Sequence, residues 1–177
     1  MTEDILLRDL NKTDARDLSL IFSDPSIKDN LCREVLLPYT INNARVFIGM
    51  SNISCNYISK AVEYQGSLVG LITLYPQENL FKYNAEILFL VAKEHRNKGI
   101  MSVALRKMLS YTFDNFLFER IFSNVLESNL TSIRILTKSG FKREGILRNS
   151  ICMGGKFLNN CIFSILRSEF KLANDLA

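Results

Sequence analysis

Phe89-Leu90-Val91-Ala92-Lys93-Glu94-His95-Arg96-Asn97-Lys98-Gly99-Ile100-Met101-Ser102-Val103-Ala104-Leu105 runs from an apolar segment, through a short basic loop holding one glycine, into an amphipathic stretch. Ala85 to Val91, apolar apart from Glu86, lack a sustained polar alternation, which predicts a strand covered on both faces and central to its sheet. After Gly99, apolar side chains recur at Met101, Ala104, Leu105, Met108, Leu109, Phe113 and Phe116, the spacing of a helix lying on a sheet. A helix that starts there presents unpaired N–H groups and a partial positive charge, and Arg96 and Lys98 add cations beside the same point. Such a turn is built to receive a phosphate, although an ordinary strand-to-helix turn with solvated basic residues would read the same way.

Upstream of this unit, Ile5 to Arg8 reads as a short strand, and Thr13 is placed to cap a helix through Phe22 that Asp24-Pro25 stops. A second helical stretch is expected from Leu31 to Leu36, and a third behind Thr40 through Ala44, Phe47 and Ile48. Tyr57 to Tyr64, the turn Gln65-Gly66-Ser67 and Leu68 to Leu74 form a hairpin. Downstream, Arg120 to Leu126 alternates as a strand, and Asn129 to Ser139 is a helix stopped by Gly140. Phe141 to Met153 and Lys156 to Leu166 then close as a hairpin around Gly154-Gly155. No linker, repeat or low-complexity run divides residues 1–177, so a single domain is expected.

Composition narrows the function classes. The 177 residues are 47% hydrophobic and 23% charged, a globular balance able to fill one core. The longest unbroken apolar run is Ile87 to Ala92, far below the ~18 residues of a membrane span, and nothing at the start resembles a signal peptide. A cytoplasmic setting without membrane association is therefore expected. Cys32, Cys55, Cys152 and Cys161 have no paired spacing and His95 is the one histidine, which argues against a metal centre or a disulfide framework. The net charge of +4 is spread along the chain without basic runs, so no nucleic-acid partner is expected.

The loop lacks the spacing of a Walker motif or of a dinucleotide fingerprint. It resembles the acetyl-CoA loop of the GNAT acetyltransferase superfamily, R/Q-x-x-G-x-G/A, with Arg96 and Gly99 in register and Met101 in place of the small last residue. Gly99-Ile100-Met101-Ser102-Val103-Ala104-Leu105 is similar to the branch of ribosomal-protein N-terminal acetyltransferases and its relatives. So is the run from Asn129 to Gly145, which follows N-x-x-S-I-x-x-L-x-K-x-G-F-x-x-E-G. The resemblance spans roughly Leu37 to Arg167 and implies an α+β fold with a mixed, mostly antiparallel sheet that splays at its central strands, with helices on both faces.

It implies acetyl-CoA as co-substrate, with the pyrophosphate on Arg96, Asn97, Lys98, Gly99, Ile100, Met101 and Ser102. The pantetheine arm would lie along Phe89, Leu90 and Val91, and Asn129 joins the cofactor contacts. A main-chain N–H near Leu90 or Val91 would hold the developing oxyanion. Glu86 sits where several members carry the base that takes the amine proton, and a solvated carboxylate at a strand start is the other reading of that residue. Many members protonate the leaving thiolate with a tyrosine, but that position is Leu136 here, and the branch uses the serine that matches Ser132. A first-turn serine satisfied by its own backbone remains open at Ser132. The strand that carries a second carboxylate in some relatives has Ser150-Ile151 instead. His95 would lie at the phosphate end, away from the chemistry.

The resemblance implies an amine as acceptor. Deprotonating a lysine of pKa ~10.4 at neutral pH costs about 4–5 kcal/mol, against about 1 kcal/mol for an α-amine near ~7.8. One base therefore suits an α-amine, such as a protein N-terminus, or a similarly weakly basic amine. The alternatives are a small amine, meaning an amino sugar, an aminoglycoside or a polyamine, and a non-catalytic acyl-CoA-binding module. For a polyamine the N-terminal half offers only scattered acids, Glu34 and Glu63 among them. Monomer and homodimer are equally compatible.

Overall fold

The structure, a computed structural model, describes residues 4–31, 39–51 and 56–175. Beyond Leu31, the helix expected up to Leu36 lies outside the described residues, as do Cys32, Glu34 and Cys55. The strands are β1 (Ile5–Arg8), β2 (Ile58–Tyr64), β3 (Ser67–Pro76), β4 (Asn84–Val91), β5 (Arg120–Leu126), β6 (Lys142–Met153) and β7 (Lys156–Leu166). The helices are α1 (Ala15–Phe22), α2 (Pro25–Lys28), α3 (Ile41–Ser51), α4 (Ile100–Asn115), α5 (Leu130–Lys138) and α6 (Arg167–Asp175). The sheet has the order β1-β2-β3-β4-β5-β7-β6, so β4 stands in the middle, as its apolar run predicts. Every pairing is antiparallel except that of β4 with β5.

Two cores, one on each face, explain why β4 lacks a sustained polar alternation. Leu105, Met108 and Leu109 of α4 are fully buried against Ile72, Leu74, Ile87 and Ile121. On the other face Leu18 of α1 and Ile48 of α3 close over Ala61, Leu71 and Leu90. Each fully buried leucine or isoleucine contributes about 1.5–3 kcal/mol relative to exposure, so these contacts hold the helices to the sheet. Arg167 ties α6 to the end of α4 by donating to the carbonyls of Phe113, Phe116 and Phe118. Among the described residues no helix is long and apolar enough to cross a membrane.

The turn chemistry follows the sequence at most corners. Gln65 and Gly66 (φ 52° and 78°), like Gly154 and Gly155 (57° and 74°), make the two-residue turns with positive φ that match strand twist. Gly140 adopts φ 92° after α5, with Gly140 N–H on Thr137 O and Phe141 N–H on Leu136 O, a Schellman stop. Thr40 and Asn43 cap α3 reciprocally.

Two details differ from expectation. Thr13 does not cap α1: Asn11 accepts from Thr13 N–H and opens a 3-10 turn, Lys12–Asp14, that runs straight into the helix. Asp14 is held there by two bonds from Arg8, which positions the turn. Asp24-Pro25 stops α1 but also starts α2. Proline suits the first helical position, where its missing N–H is no loss, and Asp24 accepts from Ser26 N–H at 2.9 Å.

Candidate active site

β4 and β5 pair over only three residue pairs, Asn84 with Arg120, Ala85 with Ile121 and Glu86 with Phe122. Beyond Glu86 they diverge. β5 continues against β7 alone, while Ile87 to Val91 keep β3 on one side and turn the other toward a groove. In its wide part, a cavity of about 310 Å³, this groove is walled by Phe89 to Val91, by Ser26, Ile27, Asn30 and Leu31, by Arg96, and by Ser128 to Ser132. A narrow continuation of about 40 Å³ reaches Glu86 and Asn124 and shares Asn30, Leu31, Phe89, Asn129 and Ser132 with the wide part. One groove thus connects the Arg96 loop to Glu86.

Backbone direction decides which groups of β4 face it. Ala92 N–H donates to Val69 O on β3, and strand alternation then turns Val91 N–H away from β3 and Leu90 N–H toward it. Val91 and Phe89 therefore present their main-chain groups to the groove. The Leu90 side chain is buried in the α1 and α3 core, while Phe89 and Val91 pack against the α4 core. Phe89 and Val91 can therefore give a ligand along this edge their backbone, whereas Leu90, expected to line the arm with them, commits its main-chain groups to β3 and its side chain to the core.

The loop before α4 turns through positive φ at Asn97 (60°) and Gly99 (78°). Val103 N–H to Gly99 O, 3.2 Å, is the first bond of the helical ladder, so the N–H groups of Ile100, Met101 and Ser102 have no intrahelical acceptor. Ile100 and Met101 bury their side chains, leaving only those N–H groups to the outside. Met101 has a packing reason as well: its Cε approaches Gly70 on β3, filling the space a glycine leaves. Asn97, Lys98 and Gly99 are exposed, and Ser102 is half-buried.

Arg96 has partners that the sequence did not announce. Its guanidinium donates to Asp24 Oδ2 (2.6 Å), Ser26 Oγ (2.8 Å) and Val91 O (3.3 Å), tying the loop to α2 and to β4. Burial works against a charged Asp24, but bonds from Ser26 and the charge of Arg96 outweigh it and hold the carboxyl below its usual range.

At the narrow end Glu86 Oε1 accepts from Asn124 Nδ2 at 2.8 Å, and Asn124 Oδ1 accepts from Asn160 Nδ2 at 2.9 Å. Asn160 is buried, so this amide relay fixes the carboxylate from β5 and β7. Glu86 is therefore a held group at the closing point of the splay. Ser132, half-buried, lines both parts of the groove. Its N–H is bonded by Asn129 Oδ1, the cap of α5, at 3.1 Å, which places the hydroxyl in the first helical turn. Leu136 is fully buried in the α4 core and offers nothing to the groove.

Other residues fall elsewhere. Glu144 of the E-G motif accepts from Arg120 and Ser164, and the Arg120 bond chiefly holds its carboxyl low. Glu63 is paired with Arg8. Ser150 lies in the irregular part of β6 and bonds to Leu147 O. His95 stands edge-on to Tyr64 and lines a separate hollow of about 570 Å³ beside α1, away from Glu86. Cys161 is buried, and burial pushes its thiol up, which makes it a core residue and not a nucleophile.

A sheet opened beside its central strand, with the unpaired N–H groups of a helix start at one end of the opening and a held carboxylate at the other, is an arrangement suited to an acyl-group transferase. Residues 4–142 match the acetyltransferase (GNAT) domain, most of the chain, and the chain belongs to this family of N-acetyltransferases. It is 29% identical over 177 residues to an uncharacterized N-acetyltransferase of Bacillus licheniformis, covering 96% of each. It is 32% identical over 118 residues to a Bacillus subtilis protein provisionally named a ribosomal N-acetyltransferase, covering 66% of this chain and 63% of the other. The fold matches the crystal structure of spermidine N-acetyltransferase from Vibrio cholerae in complex with CoA and spermine, with a TM-score of 0.83 and 22% identity over 96% of this chain and 99% of that one.

Proposed function

We propose that the protein, acting as one domain over residues 1–177, transfers an acetyl group from acetyl-CoA to the α-amine of a protein N-terminus, as the ribosomal-protein branch does. The observation that carries this reading is the single groove linking the Arg96 loop to Glu86, with Ser132 on its wall. The residues fit the co-substrate: Phe89 and Val91 offer main-chain groups along an open strand edge, and the N–H groups at the start of α4 face out behind two residues of positive φ. Acetyl-CoA, when bound, supplies an acyl group already activated as a thioester.

The chain's own residues do the rest. Asn97, Lys98 and Gly99, with the N–H groups of Ile100 to Ser102, receive the pyrophosphate, while Arg96 shapes the loop through Asp24 and Ser26. Asn129 holds the first turn of α5 against the arm. Glu86, steadied by Asn124, takes the proton from the attacking amine. Val91 N–H receives the charge that develops on the carbonyl oxygen. Ser132 donates to the departing sulfur. A single held base favours an amine that loses its proton at a cost of about 1 kcal/mol, which supports an α-amine over a lysine.

Thiol release from acetyl-CoA across peptide N-termini, polyamines, amino sugars and aminoglycosides tests the reading, with mass spectrometry of the products. Peptides gaining one acetyl group on their α-amine are expected, and acetylation of small amines with none on any peptide removes the proposal. Likeness to the Vibrio cholerae spermidine enzyme favours a polyamine as the second reading. Against it, Glu63, one of the acids a polycation would need, is already neutralised by Arg8.

A further inference from the structure

The groove accounts for cofactor and reacting atoms but leaves a run of aromatic rings on the α1 and α3 face of the sheet. Phe22 stacks on Tyr39 with centroids 4.4 Å apart and meets Phe47 at 6.5 Å. Phe47 stacks on Tyr57 at 5.6 Å, and Tyr57 meets Tyr75 at 6.0 Å. The run ends at the reaction centre, because Tyr75 and Glu86 are cross-strand partners whose side chains leave the sheet on the same face. Tyr39, Phe47, Tyr57 and Tyr75 are each only partly buried, so each keeps some surface open to solvent. Burial and then the neighbouring Tyr57 and Tyr75 oxygens push the Tyr39 hydroxyl up to about 12, so this ring stays neutral at physiological pH. Beneath them Ser59 and Thr73 satisfy each other at 2.9 Å.

We propose that Tyr39, Phe47, Tyr57 and Tyr75 form the acceptor subsite, and that it selects an amine carried on a large apolar body: a peptide whose first residue is leucine- or phenylalanine-like. The inference rests on the proposed transfer to an α-amine. Ring faces attract one ammonium group, and the same rings bury an apolar side chain. Glu86 supplies one carboxylate for one ammonium. A triamine would bring two further positive charges to a groove in which Glu86 is the one carboxylate among the described lining residues, in a chain of net charge +4.

The test measures KM and kcat on peptides identical except for a first residue of Phe, Leu, Ala, Ser or Asp, with spermidine as the polycation. Leu- and Phe-first peptides are expected to exceed Ser- and Asp-first ones in kcat/KM by about tenfold or more. Tyr57→Ala should raise KM for the favoured peptides by about tenfold and flatten the ranking, with the KM for acetyl-CoA unmoved. Tyr57→Phe keeps the ring and should keep the ranking, which separates lost recognition from lost folding. A flat peptide profile in the unaltered protein, or a ranking that survives Tyr57→Ala, overturns the subsite and leaves transfer to α-amines standing. Turnover of spermidine alone overturns both.

Discussion

Gly70→Ala should damage the cofactor edge without altering any polar side chain. A Cβ at Gly70 would lie 2.6 Å from the Leu90 carbonyl oxygen and 3.2 Å from Met101 Cε. The methionine can swing aside, but the carbonyl is backbone: relative to an ordinary contact of roughly 3.5 Å it must retreat by about 0.9 Å. Overpacking of this kind costs about 1–3 kcal/mol, and the easier ordering of alanine in a strand returns about 0.5–1 kcal/mol. The middle of those ranges is a net loss of about 1 kcal/mol, which in a chain of this size lowers Tm by roughly 2–4 °C. The Leu90 carbonyl faces β3, so its retreat carries Phe89 and Val91 into the groove. One or two ligand bonds to that edge, each worth about 1 kcal/mol, then weaken, and the Kd for CoA should rise about 5- to 30-fold. Scanning calorimetry and isothermal titration with CoA read the two effects. Gly49→Ala, where nothing lies within 4 Å of the added carbon, is the control and should not weaken CoA binding. A Gly70→Ala protein that melts with the unaltered chain and binds CoA equally tightly would refute the argument that β3 sets the position of this edge.

Asn124→Leu removes the bond that holds Glu86 and should lower kcat/KM about 10- to 150-fold with CoA affinity retained; unchanged kinetics would deprive Asn124 of its positioning role. Ser132→Ala should cost about 100-fold in kcat while titration with CoA is unaffected, and full turnover would place the donor to sulfur elsewhere. For Asp24 the sign follows from its depressed native value: the unfolded chain, near 3.8, takes up the proton first. The stability contributed by its ion pair is complete above about pH 5 and drains as pH falls through the native value. Asp24→Asn, which keeps the cap of α2, should therefore melt lower than the unaltered chain at neutral pH and converge with it in acid; a gap that stays constant down to about pH 3 would contradict this.

The periodicities carried most of the fold. Ala85 to Val91 reads as covered on both faces and is, and the glycines at 66, 140, 154 and 155 mark turns that do need positive φ. What stayed hidden depends on contacts distant along the chain. Nothing local says that Asn124 will meet Glu86 or Asn160, because the registers of β5 against β4 and against β7 bring them together across 38 and 36 positions. Asn124, set between Phe122 and Leu126 on one face of β5, is the available signal. Arg96 illustrates the converse. A basic residue beside a glycine is legible as a phosphate contact, but the acid that pairs with it lies 72 positions away and belongs to a helix one turn long.

The order β5-β7-β6 has a consequence for how the molecule is made. β7, made after β5 and β6, does not extend the sheet at its rim; it is inserted between two strands already present. Until Lys156 to Leu166 leave the ribosome, β5 is held by three residue pairs with β4 and shows a bare hydrogen-bonding edge, while β6 has no neighbour to join. The nascent chain thus completes its sheet from within, and a ribosome stalled in the β6–β7 turn would expose a sticky half-sheet with most of the catalytic sequence already translated.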